Sequence, residues 1–163
     1  MNSENKNHHK NGGSNYGRFF LMLGLSFVAM YITMYLNTYE FDHVYFSLTR
    51  FYMTCLGIAA MAVIMLSLML KMYKNKKKNI AIYLGSLVLF VSALGLVRAQ
   101  RPIIGDVLYM KAMIPHHSIA ILTSKRADLK DPETIKLAEE IIEAQKREIA
   151  QMKKIIYRLE NED

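Results

Sequence analysis

Three long stretches without a charged residue constrain this sequence more than any other feature. They run over residues 19–36, 51–70 and 80–97 and contain 18, 20 and 18 residues. A helix needs about 20 apolar residues to cross the hydrocarbon core of a bilayer. A core helix of a soluble protein would show a polar face at helical period, and none of the three stretches does. The sequence therefore predicts a three-helix transmembrane region over residues 16–97.

The first stretch has one alternative interpretation, because Lys6, Lys10 and Arg18 give it the basic front of a cleaved signal peptide. Its apolar run is longer than the roughly 7–15 residues of such peptides, and residues 37–42 offer no small-residue cleavage site. We interpret it as a retained helix. Residues 1–15, rich in Asn, Lys, Gly and Ser, are predicted to form a disordered cytoplasmic tail.

The formal net charge of +7 raises the question of whether the protein binds nucleic acid. Residues 1–97 contain nine Lys or Arg and three acids, whereas residues 98–163 contain twelve and eleven. The positive excess therefore belongs to the membrane region, and the C-terminal part has no basic face for DNA or RNA. We expect a lipid bilayer as a partner and no nucleic acid.

The distribution of lysines predicts the orientation in the membrane. Five lysines lie in the loop between the second and third apolar stretches, whereas residues 37–50 contain one basic residue and two acids. Positive charge is retained on the cytoplasmic side. A multi-pass protein of the cell membrane is predicted, with its N-terminus in the cytoplasm. Residues 98–163 then lie outside the cytoplasm, on the periplasmic or cell-surface side.

Residues 98–163 are predicted to form a soluble, antiparallel hairpin of two helices. Apolar residues recur at steps of three and four over 103–129 and again over 132–159. Between them, Asp131 followed by Pro132 and Glu133 is typical of a helix N-terminus. Two helices leave each apolar face half covered. We therefore expect a homodimer that completes a four-helix bundle, and the predicted fold class is all-α throughout.

Polar and soft side chains interrupt the apolar faces of both predicted helices. On the first helix Met113, His116 and His117 stand at i, i+3 and i+4, which predicts that they share one face. Pro115 lies among them and either bends the helix or marks a boundary at Ile114. Together with neighbouring residues they form a predicted set of metal ligands. Its members are Met113, His116, His117 and Met152, with Met110 and Glu148 beside them.

Several of these motifs together resemble a known family. They are MIPHH at 113–117, SIAI after it, DPE at 131–133 and the pattern AQxxEIxxM at 144–152. The sequence resembles the ferritin-like helical domain first catalogued as a domain of unknown function, some members of which are periplasmic copper-binding proteins. The resemblance covers about 106–159 and implies Met113, His116, His117 and Met152 as ligands, then Met110 and Glu148.

The ligand types also indicate the metal without reference to the family. Thioether sulfur favours Cu(I), or Ag(I) as its mimic, whereas zinc seldom takes thioether ligands. Cys55, the single cysteine, lies in an apolar stretch and is expected to be a buried hydrophobe. Copper is therefore the predicted ion, with Glu148 or Gln145 orienting a histidine ring.

These observations predict a membrane-anchored, extracytoplasmic copper-binding protein that buffers Cu(I) or hands it over. The alternative is a membrane-anchored helical module that dimerises or recruits a partner and has no metal role. No paired nucleophile and base, phosphate loop or cofactor motif is recognisable, so an enzyme is not predicted. Methionines at helical spacing in the second stretch suggest copper conduction, but no charged or histidine relay accompanies them, and anchoring is the expected role.

Overall fold

The computed structural model of the chain describes residues 11–100 and 103–161. These residues contain five α-helices, one short 3-10 helix and no strand, which confirms the predicted all-α class. The elements are α1 (Asn11–Thr33), the 3-10 helix (Phe41–His43), α2 (Leu48–Leu68), α3 (Lys76–Arg98), α4 (Asp106–Arg126) and α5 (Pro132–Asn161).

Two compact units divide the chain. The membrane unit contains the residues up to Tyr31 together with Phe51–Ala99. The C-terminal unit contains Ile32–Arg50 and the residues from Gln100 onward. The segment between α1 and α2 therefore belongs with α4 and α5 and not with the helices that it joins.

Three helices are long and apolar enough to cross a bilayer, as the sequence predicted. They are Asn15–Thr33, Leu48–Leu68 and Lys76–Arg98. Since α1 begins at Asn11, residues 11–15 of the predicted tail are helical. Each residue added to an existing helix gains one hydrogen bond, which favours this extension. The rest of the predicted tail, residues 1–10, lies outside the described residues.

Many large apolar side chains of the membrane unit face outward. More than half of the surface of Leu21, Leu25, Leu84, Leu87 and Val88 is exposed. In water a surface of this kind would be a site of association. In a bilayer it faces lipid tails, while the backbone of each helix satisfies its own hydrogen bonds. The exposure pattern is compatible with a lipid bilayer.

Asn75 in the lysine-rich loop and Asn79 in the first turn of α3 fix the start of this helix against α1. The Tyr16 hydroxyl lies 2.6 Å from Asn79 Oδ1 and donates to it. The backbone N–H of Asn75 donates to the Tyr16 hydroxyl at 3.2 Å. Asn75 Oδ1 accepts from the Lys78 N–H at 3.1 Å and so caps the helix. These bonds stabilise the loop end of the membrane unit.

In the C-terminal unit, α4 and α5 pack against each other along one apolar core. The pairs Lys111–Glu160 and His117–Glu148 require that the two helices run in opposite directions. The core contains most of the apolar positions predicted from helical period, but Ile103 and Ile135 of that pattern are exposed. The buried residues are Met110, Ile114, Ile121, Ile149 and Ile156, with Val107, Ile142, Met152, Ile155 and Leu159 packed against them.

The ends of these helices follow local backbone chemistry. α4 begins after Gly105, whose backbone is extended, and ends at Arg126, a few residues inside the predicted limits on both sides. It continues through Pro115, so the boundary considered at Ile114 does not occur. Before α5, Asp131 Oδ2 accepts from the Thr134 N–H at 2.8 Å, which confirms the predicted N-cap.

The segment between α1 and α2 covers part of the α4–α5 core. Its Tyr39 and Tyr45 pack against the same apolar cluster. The half-covered apolar faces that predict a dimer are those of two helices alone, and this segment covers part of them within one chain. The dimer stays a prediction.

Candidate metal centre

His117 is held from both sides of its ring. Nδ1 lies 2.9 Å from the Met113 carbonyl oxygen, one turn earlier in α4. Because a carbonyl oxygen only accepts, Nδ1 carries the proton of this hydrogen bond. Nε2 lies 2.8 Å from Glu148 Oε2 on α5. The ring is mostly buried, whereas Glu148 is about half exposed, with 15% and 47% of the two side chains accessible.

The short contact between Nε2 and Glu148 brings two potential metal ligands together. With Nδ1 donating to the Met113 carbonyl, the lone pair of a neutral ring lies on Nε2, on the side of the carboxylate. A metal ion between the two atoms could be bound by both. Nε2 is thus the ring atom suited to a metal, and the Met113 carbonyl fixes that tautomer.

Methionines surround this histidine in a groove between α4 and α5, here called the Met/His groove. Its volume is about 490 Å³. Five of the six predicted ligands line it, namely Met110, Met113, His117, Glu148 and Met152. The other lining residues are Asp106, Tyr109, Gln151, Ile155, Arg158 and Leu159. Met110 is buried at its base, and Met113 and Met152 are partly exposed.

His116, the sixth predicted ligand, lies apart from the Met/His groove. Its ring is exposed, and its centroid is 6.1 Å from that of His117. It lines a second cavity of about 300 Å³ together with Met34, Arg50 and Met113. Consecutive residues of an α-helix point about 100° apart, so His116 and His117 diverge. Met113 is the predicted ligand that both cavities share.

Glu148 and Gln145 are both predicted to orient a histidine ring, but only Glu148 lines the Met/His groove. Glu148 contacts His117 directly, which suits either a ligand or a proton acceptor. Gln145 is not among the residues that line the Met/His groove.

A second polar cluster, here called the loop cluster, contains Glu40, Asp42 and His43. One ligand atom from each residue lies within 4.8 Å of the others. Sequence reasoning missed these residues. The only signal was three potential ligands within four positions of a short loop, and the fold alone reveals their contact with α4.

Two titratable groups of the loop cluster are perturbed. The hydrogen bond from Lys153 lowers the pKa of Asp42. Burial lowers the pKa of His43, and the positive charge of Lys153 acts in the same direction. Both effects favour an ionised Asp42 beside a neutral His43.

The chain is similar to known proteins in two comparisons. Residues 96–156 match a family described as Domain of unknown function (DUF305). An uncharacterized protein of Acanthamoeba polyphaga mimivirus is 36% identical over 139 residues, covering 83% of this chain and 89% of that protein. Since residues 98–163 are less than half of the chain, this likeness extends into the membrane region. No solved structure matches.

Proposed function

This chain belongs to the family of the mimivirus protein and carries a DUF305 domain, and from that premise we propose that it is a membrane-anchored copper-binding protein. It buffers Cu(I) or hands it over at the Met/His groove. The bilayer holds the chain in place, and the chemistry belongs to α4 and α5.

The observation that carries this proposal is the arrangement around His117. Nδ1 is occupied by the Met113 carbonyl, so Nε2 is the ring nitrogen left for a metal, and it lies 2.8 Å from Glu148 Oε2. Met110, Met113 and Met152 line the same groove. An imidazole together with thioethers forms a soft ligand set, whereas the carboxylate of Glu148 is a hard ligand.

Cu(I) suits these ligands better than other biological ions do. Thioether and imidazole bind Cu(I), whereas Mg²⁺, Ca²⁺ and Mn²⁺ require oxygen ligands. Ag(I) is expected to bind as a mimic. Arg158 also lines the groove, and a singly charged ion meets less repulsion from it than a divalent ion.

The placement outside the cytoplasm is part of the proposal. Residues 32–50 share the C-terminal unit with α4 and α5. In a three-span chain, these two segments follow one and three crossings, so they emerge on the same side. Lysines crowd the loop on the opposite side, which the positive-inside rule assigns to the cytoplasm.

We also propose that two copies complete a ferritin-like four-helix bundle. Ile135, Leu137 and Tyr157 of α5 expose 38%, 56% and 72% of their surface, and a second copy would cover part of it. Mass measurement of the detergent-solubilised protein, with copper present, tests this, and a pure monomer would contradict it.

The test of copper binding is a competition titration with a chromogenic Cu(I) chelator. The full-length protein in detergent is compared with His117→Ala under reducing conditions. We expect one Cu(I) per chain at the groove, bound tighter than micromolar, and a loss of at least about tenfold in affinity in the variant.

His116→Ala is the matched control, because it removes a neighbouring imidazole from the other cavity. It should bind Cu(I) like the unmodified chain. Equal affinity of all three proteins would contradict the Met/His groove as the site. Loss of self-association in His117→Ala without a change in copper binding would favour the partner-recruitment module instead.

A further inference from the structure

His43 is deeply buried, and among the described residues only one of its two ring nitrogens has a hydrogen-bond partner. Only 5% of its surface is exposed. Its Nε2 lies 3.6 Å from Glu40 Oε2 and 3.6 Å from Asp42 Oδ1, too far for a hydrogen bond. The carboxylates of Glu40 and Asp42 thus flank a buried imidazole nitrogen, and neither is close enough to form a hydrogen bond with it.

The other ring nitrogen is fixed from α4. His43 Nδ1 lies 2.9 Å from Ser118 Oγ, which also accepts the Tyr39 N–H at 2.7 Å. Ser118 is fully buried. An imidazole held by one nitrogen, with the other directed at carboxylates, has the orientation of a metal-ligating histidine.

From this geometry we propose that the loop cluster, Glu40, Asp42 and His43, is a site for a divalent transition ion of the zinc class. One imidazole and two carboxylates are ligands that zinc accepts, and water completes four-coordination. Both carboxylates are exposed, so the ion enters from solvent. No sulfur is present, so this set does not favour Cu(I).

The surrounding charges permit a divalent ion. The Lys153 ammonium pairs with Asp42 Oδ2 at 2.5 Å, which leaves Oδ1 directed at His43. Lys146 lines the adjacent cavity, but Glu143 binds it at 2.9 Å. Glu40, Asp42 and Lys153 together carry one net negative charge.

Zinc at this site would hold the 40–43 segment against α4. Binding to the folded state alone stabilises that state by mass action. Through His43 the ion links the segment to Ser118. Ser118 is next in sequence to His117 of the Met/His groove. The proposal does not depend on copper binding there.

A zinc titration of the full-length protein in detergent tests this, with a chromogenic zinc chelator as competitor. Glu40→Gln is the decisive variant, because Glu40 is exposed and its Oε2 lies 3.6 Å from His43 Nε2. We expect one zinc equivalent whose affinity falls by at least about tenfold in Glu40→Gln. Glu139→Gln, which removes an exposed acid of α5, should bind zinc like the unmodified chain.

Two further measurements separate this site from the Met/His groove. Co²⁺ should give the visible absorption of a four-coordinate N/O site, lost in Glu40→Gln and retained in Glu148→Gln. Cu(I) affinity should be unchanged in Glu40→Gln. The proposal is overturned if Glu40→Gln binds zinc as the unmodified chain does, or if zinc is lost in Glu148→Gln instead.

Discussion

Ser118 Oγ lies 2.9 Å from His43 Nδ1, and this contact joins α4 to a segment seventy-five residues earlier in the chain. The same oxygen accepts the Tyr39 N–H. One hydroxyl therefore satisfies a backbone donor and orients a buried imidazole. It is the point at which the segment between α1 and α2 becomes part of the C-terminal unit.

Removal of that hydroxyl should destabilise the C-terminal unit. Ser118→Ala leaves the Tyr39 N–H and His43 Nδ1 without their partner, and an unsatisfied buried group costs about 1–3 kcal/mol. Thermal unfolding of the full-length protein in detergent should show a lower midpoint. Ser124→Ala, which removes a hydroxyl less buried on the same helix, should have little effect. Equal midpoints for both variants would contradict the role of Ser118.

Glu148→Gln tests whether Glu148 is a minor ligand of copper or a principal one. The acid is about half exposed, so loss of its pair with His117 should change the free energy of unfolding by less than about 1 kcal/mol. Cu(I) prefers imidazole and thioether to carboxylate. Affinity for Cu(I) should therefore fall less in Glu148→Gln than in His117→Ala. An equal or larger loss in a competition titration would make Glu148 a principal ligand.

The cap of α5 should depend on pH. Hydrogen bonds from the N–H and hydroxyl of Thr134 lower the pKa of Asp131 below its ordinary value of 3.8. A lowered pKa in the folded state means that the cap contributes fully above 3.8 and is lost as pH falls through the lowered value. The difference in unfolding midpoint between the unmodified chain and Asp131→Ala should shrink over that interval.

Asp131→Asn is the control for this pH dependence, because asparagine caps a helix without titrating. The difference in unfolding midpoint between Asp131→Asn and Asp131→Ala should not change with pH. A constant difference between the unmodified chain and Asp131→Ala down to pH 2 would show that the carboxylate does not stabilise the helix.

The orientation in the membrane has its own test. With Cys55→Ser as background, single cysteines are introduced as Lys76→Cys in the lysine loop and Glu139→Cys on α5. A maleimide that cannot cross membranes should label the second in intact cells and the first only after permeabilisation. Labelling of Lys76→Cys in intact cells would reverse the proposed orientation.

The sequence predicts those parts of the fold that depend on local patterns. Membrane helices are recognisable from uncharged length, and the start of α5 from Asp131 and Pro132, because each signal lies within a few residues. The apolar positions of α4 and α5 follow from helical period. The docking of Tyr39 and His43 on α4 has no such signal, since it joins residues far apart in the chain and depends on tertiary packing.

The candidate site shows the same limit. Helical spacing brings Met113 close to both histidines, but it does not say which of them faces the partner helix. His116 and His117 diverge by about 100°, and the position of α5 directs His117 toward Glu148. The copper ligands remain predictions, and five of the six predicted residues line one groove, whereas His116 lines another cavity.

Copper analysis of the full-length protein, purified from copper-supplemented cells, tests the central claim most directly. The comparison is a variant with Met110, Met113 and Met152 changed to Leu, since such swaps conserve volume and cost less than about 1.5 kcal/mol each. We predict about one copper per chain in the unmodified protein. The variant should remain folded and contain no copper at the groove. Equal copper in the two proteins, or none in either, would contradict the account.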